Sequence, residues 1–225
     1  MNKEKLYITS DLHFWHANIC KYCDRPYTPD TLAKMNEDIL AEFDKLPEGA
    51  TVLNLGDVYL NSRKTFDEIK YLVDRMKSNG KRMELLLGNH DFSTPRFMKG
   101  KQNVTAEELF LQLGFDKVYD YPFIMDGMVF CHEPIYFPEK IRVVHGHVHD
   151  KDVDEDYFNH GCDNWAMMEI VKAHPELTKQ TNLDIETGIV RTDLKINPSM
   201  YFNTCWDKHH RILSYDEVLH ALEKI

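Results

Sequence analysis

Apolar residues in this chain occur in short runs that stop abruptly at polar residues, and between the runs they recur at helical spacing. The runs KLYITSDLH (5–13), TVLNLGD (51–57) and RMELLLGNHD (82–91) are β-prone. They read as buried strands that deliver polar side chains from their ends, the second halted by Gly56 and the third broken at Gly88. Between them, residues 31–46 set Leu32, Met35, Ile39, Leu40 and Phe43 on one helical face before Pro47 closes the segment. TFDEIKYLVDRMKSNG (65–80) repeats that pattern with Gly80 as its stop, and a third helix is expected near residues 105–113. The alternation of strand and helix predicts an α/β fold with polar groups gathered at the strand ends.

Beyond residue 116 the texture turns to β. KVYDYPFIMDGMVFCHEP (117–134) holds two β-prone runs joined around Asp126-Gly127, a hairpin signal, and KIRVVHGHVHD (140–150) is a further strand ending in histidines. Residues 151–198 break the rhythm with the acidic run DKDVDEDYF, an expected helix near 164–173 and polar sequence up to Pro198. An insertion or lid and a solvated structural excursion are both open readings of that segment. SMYFNTCWD and HRILS follow, then a helix from Ser214, where Ser-Tyr-Asp-Glu forms a capping box.

With 225 residues and 43% hydrophobic content, the chain suits one domain with one substantial core. A formal charge of -10 argues against a broad surface for nucleic-acid backbone, though not against a small anionic substrate held by metals. Five cysteines without framework spacing, and an N-terminus with no apolar run, fit a reducing cytoplasm. No uncharged apolar stretch reaches spanning length, so no membrane partner is expected. Cys20 and Cys23 form a lone C-x-x-C, better read as unlinked thiols than as half a zinc site or a redox pair, since no second pair follows.

The segment VVHGHVHD (143–150) carries three histidines at alternate positions. On an extended strand they would share one face, where three imidazoles crowd unless something binds them, and a metal ion is the usual binder. Other strand ends add Asp11 and His13, Asp57, Asn89 and His90, and His132. Each alone has a plain explanation as a cap, a turn residue or a satisfied core histidine. Together they are five loops, each placing a ligand-capable group at a strand terminus.

The ordered blocks DLH (11–13), GD (56–57), GNHD (88–91), CHEP (131–134) and GHVH (146–149) resemble the calcineurin-like metallophosphoesterases. The closing YFNTCWDKHHRILSYDEVLHAL resembles the ends of small bacterial and phage members. This resemblance implies a four-layer α/β/β/α sandwich of two mixed sheets flanked by helices, here residues 1–225 as one domain with the possible insertion at 151–198. It implies one metal held by Asp11, His13 and His149, a second held by Asn89, His132 and His147, and Asp57 as the bridge. Mixed imidazole, carboxylate and amide donors suit Mn, Fe, Zn or Ni better than a calcium cage. The implied chemistry is in-line attack on phosphorus by a hydroxide formed between two divalent ions, with His90 serving the leaving oxygen.

Asp91, or a nearby carboxylate, is expected to orient His90, or else to stabilise the turn. His145, outside the implied ligand set, is expected to support the ligands or to pack, because Gly146 lets the chain turn and ends strict alternation. In FWHANICKYCDRPY (14–27), His16, Asn18 and Arg25 match polar positions of a subgroup of small members, and with Asn89 and His90 they are the expected substrate contacts. The alternative is an ordered surface loop anchored by Trp15 and Tyr27.

These features predict a phosphohydrolase acting on a phosphodiester or nucleotide-like substrate. GDVYLNSR lacks the Gly-Asp-x-Val-Asp-Arg-Gly of the protein Ser/Thr phosphatases, and Asn-His-Asp stands where they carry Asn-His-Glu. A nuclease of the same superfamily is disfavoured by net acidity. A non-catalytic scaffold is disfavoured by the complete ligand set.

Overall fold

The computed structural model describes residues 3–60, 63–137, 141–155, 157–158, 172 and 195–223. Strands β1 (Leu6–Thr9), β2 (Thr51–Asn54), β3 (Arg82–Leu86) and β4 (Lys117–Tyr119) pair in parallel. A short antiparallel strand, β9 (Leu213–Ser214), completes this first sheet in the order β4-β3-β2-β1-β9. The second sheet runs β5 (Phe123–Met125), β6 (Met128–Cys131), β7 (Arg142–His145), β8 (Tyr201–Asn203), antiparallel at its first pair and parallel thereafter.

Side-chain alternation along the strands generates the layers. Leu6 and Ile8 of β1, Leu53 after Val52 on β2, and Leu86 of β3 meet Met128 and Phe130 of β6 and Val144 of β7 in the seam between the sheets. Val52, Met83 and Leu85 point the other way, into a core closed by α2 (Leu32–Asp44), α3 (Phe66–Met76) and α5 (Ala106–Leu113). On the far face of the second sheet, Val129, Cys131 and Val143 pack under Ile135, Phe137 and Phe158. The result is the expected sandwich of two mixed sheets flanked by helices.

The expected helices form close to their predicted bounds, each with the signals that specify it. Thr65 and Glu68 close a reciprocal capping box on α3, and Thr105 and Glu108 do the same on α5, which ends at Gly114 with φ 111°. Ser214 and Glu217 likewise cap α7 (Tyr215–Glu223), with Ser214 N 2.8 Å from Glu217 Oε2. The Asp126-Gly127 hairpin forms with both residues left-handed, the backbone that a two-residue loop between twisted strands needs.

Three short helices depart from expectation: α1 (Ile19–Tyr22), α4 (Asn89–Phe97) and α6 (Trp206–His209). Asn89–Phe97 has little apolar periodicity and contains Pro95, so its sequence reads as a loop. It coils because the Asp91 carboxylate accepts the Gly88 amide at 2.9 Å and fixes the first turn. α3 stops at Met76, ahead of Gly80, and a tight turn with Asn79 at φ 61° follows. The helix expected near 164–173 and most of the segment 151–198 lie outside the described residues. No helix among the described residues is long and apolar enough to cross a membrane.

Burial in the seam between the sheets should outweigh any single helix cap. Phe130 is fully buried there, so Phe130→Ala is expected to cost about 3–5 kcal/mol. Loss of the α7 cap in Ser214→Ala should cost only about 1 kcal/mol. Urea unfolding of the two variants would show the ranking, and equal losses would mean that Phe130 is not packed as tightly as its burial indicates.

Candidate metal centre

The groups singled out in the sequence emerge beyond the C-terminal ends of five parallel strands. Asp11 and His13 follow β1, Asp57 follows β2, Asn89 and His90 open α4 after β3, His132 follows β6, and His147 and His149 follow β7. Five of these residues, Asp11, His13, Asp57, His147 and His149, have φ between 50° and 70°. Left-handed backbone at a non-glycine residue costs about 1–2 kcal/mol, least for Asp, Asn and His. It turns the chain sharply enough to aim alternate side chains inward.

Those turns bring the donors together. Ligand atoms of Asp11, His13 and His149 lie within 4.8 Å of one another, as do those of Asp11, Asp57 and His132. Asp57 Oδ2 stands between the two groups, 3.7 Å from His13 Nε2 and 3.5 Å from His132 Nε2. On the far side, His132 Nε2 is 3.0 Å from Asn89 Oδ1 and 3.3 Å from His147 Nδ1. His90, with about a third of its side chain exposed, has Nε2 3.9 Å from Asp57 Oδ2, and its amide donates to Asp57 Oδ1 at 3.0 Å.

Backbone and carboxylate acceptors set the imidazole orientations. The Leu55 carbonyl can only accept, so His132 Nδ1 at 2.7 Å carries the proton and Nε2 faces the centre. His149 Nδ1 donates to Asp207 Oδ2 at 2.8 Å, leaving its Nε2 for the same purpose. The His147 amide donates to Asp11 Oδ2 at 2.9 Å, tying the end of β7 to the end of β1.

Two glycines make this approach possible. A Cβ at Gly88 would lie 2.2 Å from Asp57 Oδ1, and one at Gly146 would lie 2.6 Å from Asp11 Oδ2. Any larger residue would push a central carboxylate out of place.

The electrostatics ask for cations. Burial works to raise Asp57, yet His132 and His13 bring it down to about 2. Burial likewise opposes a charged His132, but Asp57 and Asp11 outweigh it and raise His132 to about 10. Two buried carboxylates are thus extracting positive charge from their neighbours. Asp11 Oδ1 and both ring nitrogens of His13 are buried without a hydrogen-bond partner. Orphaned lone pairs of carboxylate and imidazole, turned toward one another, fit divalent metal ions.

The supporting residues sit differently from expectation in part. Asp91 is fully buried and accepts from the amides of Asp57 (2.7 Å), Gly88 (2.9 Å) and Val58 (3.2 Å), so it clasps the Asp57 loop to α4. His145 is buried at the end of β7 with Nδ1 2.9 Å from the Gly146 carbonyl. His16 lies beside the centre, its ring 5.2 Å from that of His13 and 6.2 Å from that of His90. Asn18 is exposed at the start of α1. Arg25, expected to reach substrate, is only 4% exposed and turns its guanidinium inward onto Asp207 and the carbonyls of Asp11 and Leu12. Cys20 and Cys23 are free thiols, as expected, with Cys20 packed against Met35.

Sequence reasoning missed Asp207 and Cys205, whose Sγ lies 3.2 Å from Asp11 Oδ2. The available signal was the polar end of YFNTCWD: like the other strands, β8 ends at the centre. An extension of β1 pairs with it, Ser10 opposite Cys205, and Trp206 N donates to the Ser10 carbonyl at 3.0 Å.

The strand ends of a sandwich of two mixed sheets thus carry clustered side chains of the kinds that hold metal ions. The model of the calcineurin-like phosphoesterases matches residues 4–188, and the chain belongs to that family. An uncharacterized protein of Methanocaldococcus jannaschii, MJ1445, is 28% identical over 156 residues, 69% of this chain and 75% of that protein. The crystal structure of the protein of unknown function AQ665 from Aquifex aeolicus superposes with a TM-score of 0.52 at 19% identity, covering 96% of this chain and 97% of the other. That likeness concerns the fold.

Gly88→Ala is expected to displace Asp57 and weaken divalent-ion uptake, at an overpacking cost of about 1–3 kcal/mol. Equilibrium dialysis with Mn²⁺, alongside a urea melt, checks this. Wild-type uptake in that variant would mean the close approach is not needed.

Proposed function

We propose that this protein is a metal-dependent phosphohydrolase with two divalent ions, cleaving a phosphodiester or nucleotide-like phosphoester. The observation that carries the reading is the position of Asp57 Oδ2, within 3.7 Å of both His13 and His132 Nε2. A carboxylate there offers charge between two cations, where a neutral group would leave their repulsion poorly offset. Asp11, His13 and His149 would hold one ion, and Asn89, His132 and His147 the other. Bound there, such ions clamp phosphoryl oxygens and make water acidic enough to act as a nucleophile near neutral pH. Mixed nitrogen and oxygen donors suit manganese, iron, zinc or nickel, and manganese is the ion we propose to test first.

The chain's own groups complete the reaction. His90 stands at the edge of the centre with its amide pinned by Asp57, so the Nε2 of its partly exposed side chain can give a proton to the departing oxygen. Burial and the neighbouring His13 bring His16 down to about 4, so it meets substrate as a neutral hydrogen-bonding ring. Asn18 and the Asn89 amide are further polar contacts on that side. The net charge of -10 favours a small phosphoester over extended nucleic acid. Retention of every expected metal ligand speaks against a scaffold without catalysis.

The test is a hydrolysis screen of monoesters, linear diesters, cyclic nucleotides and dinucleoside polyphosphates after chelation and reloading with Mn²⁺. Diester cleavage should disappear with chelator, return with Mn²⁺ and be lost in Asp57→Asn; full activity of that variant in chelator would sink the proposal. His90→Ala should lower kcat about 10²–10⁴-fold on an alkoxide leaving group while metal content stays unchanged. On a nitrophenyl ester, whose leaving group needs no proton, the loss should be much smaller. Equal losses on both would remove His90 from the proton-transfer role.

A further inference from the structure

The proposed pair of ions rests on ligands that are supported in different ways, and the support of one set is unassigned. Asp207, at the start of α6 beyond β8, is buried and has both oxygens engaged. Oδ1 accepts from Arg25 Nε at 2.6 Å, while Oδ2 accepts from Arg25 Nη2 at 2.9 Å and from His149 Nδ1 at 2.8 Å. The other edge of the same guanidinium reaches the loop after β1, with Nη1 2.8 Å from the Leu12 carbonyl and Nη2 2.8 Å from the Asp11 carbonyl.

One buried ion pair therefore touches two proposed ligands of a single metal, Asp11 and His149, and also Leu12, the residue that joins Asp11 to His13. It fixes the ring of His149 through Nδ1, and it grips the backbone between Asp11 and His13, both held left-handed at φ 55° and 50°. None of the contacts of this pair reaches Asn89, His132 or His147. We infer that Arg25 and Asp207 are positioning residues for the Asp11/His13/His149 metal alone, and that Arg25 does not bind substrate. The inference rests on the proposed dinuclear centre.

A competing arrangement has to be distinguished. Ligand atoms of Cys23, His149 and Asp207 also lie within 4.8 Å of one another, which would make Asp207 a ligand in its own right. The bidentate fork of Arg25 argues against that, because a cation at Asp207 would displace or face a guanidinium already in contact.

The experiment is a titration of metal-free protein with Co²⁺, which reports each occupied site by its visible spectrum. Wild type should take up two ions. Asp207→Asn should keep one at wild-type affinity and hold the other about 10–100-fold more weakly. Arg25→Lys, which keeps the charge and loses the fork, should weaken the same ion. In a His149→Ala background, Asp207→Asn should cost clearly less than it does in the wild-type background, because only its hold on Arg25 remains. Near-UV circular dichroism of the metal-free variants should match wild type; if Asp207→Asn does not fold, Arg25→Lys alone decides the matter.

Several results would overturn the inference. Both ions weakened equally, or an undiminished loss in the His149→Ala background, would mean a general structural role. A cobalt–thiolate band that vanishes in Cys23→Ser would mean that the ion sits at the Cys23/His149/Asp207 group instead. Two ions bound by wild type with no change in Asp207→Asn would defeat this inference and leave the proposed function standing, whereas no uptake by wild type would defeat both.

Discussion

Two buried carboxylates facing each other across a few ångströms are the constraint around which this protein is organised. Asp11 and Asp57 have lost their water, and neither has a lysine or arginine against its carboxylate oxygens among the described contacts. Such a pair is untenable in a folded protein unless positive charge is drawn in. The histidines supply it provisionally: His132 is pushed up to about 10 and Asp57 down to about 2. A proton on imidazole and a divalent ion compete for the same lone pair, so the arrangement that stabilises a cationic histidine is also the arrangement that attracts a metal.

Assembling those charges requires backbone that the chain would otherwise avoid. Five inward-facing residues hold φ in the left-handed region, and they sit directly after strands whose own geometry is regular. The strain is tolerated because the strands are locked on both faces of the first sheet and along the seam between the sheets. Hydrogen bonds that cross from one strand end to the next, such as Asp11 N to the Gly56 carbonyl at 2.9 Å and Gly146 N to the His132 carbonyl at 2.9 Å, then leave each turn one way to fold. The same rigidity explains why glycine is needed at positions 88 and 146, where one strand end passes within contact distance of the next.

The strands were legible in the sequence because burial on two faces writes a continuous apolar run, and the long helices because their apolar face and capping residues agree. α4 was not legible, since its specification is a tertiary one: Asp91 holds amides 33 and 34 residues away as well as one nearby, and no local pattern announces that. The metal-ligand residues were legible as strand ends carrying Asp, Asn and His. Arg25 was misleading for a physical reason, because an arginine in a polar loop next to ligands has the same appearance whether it faces substrate or an unsuspected carboxylate. Asp207 lies 182 residues beyond Arg25 in the chain, and only the pairing of β8 with β7, and of Cys205 with Ser10, brings the two together.

The two halves of the candidate centre differ in what holds them, and the difference bears on the proposed route for substrate. On the Asp11/His13/His149 side, support is ionic and buried, and its acceptors are saturated by the Arg25 fork. On the other side, His132 leans on the Leu55 carbonyl, while His147 keeps about a third of its side chain exposed beside Glu133. His90 has a similar exposure, and His16 lies against it. A phosphoester can approach only where side chains still meet solvent and retain freedom to adjust. The more open side is the one bounded by His16, His90 and His147, and under the proposed function the leaving group would depart there, with the ion-paired side as the fixed wall.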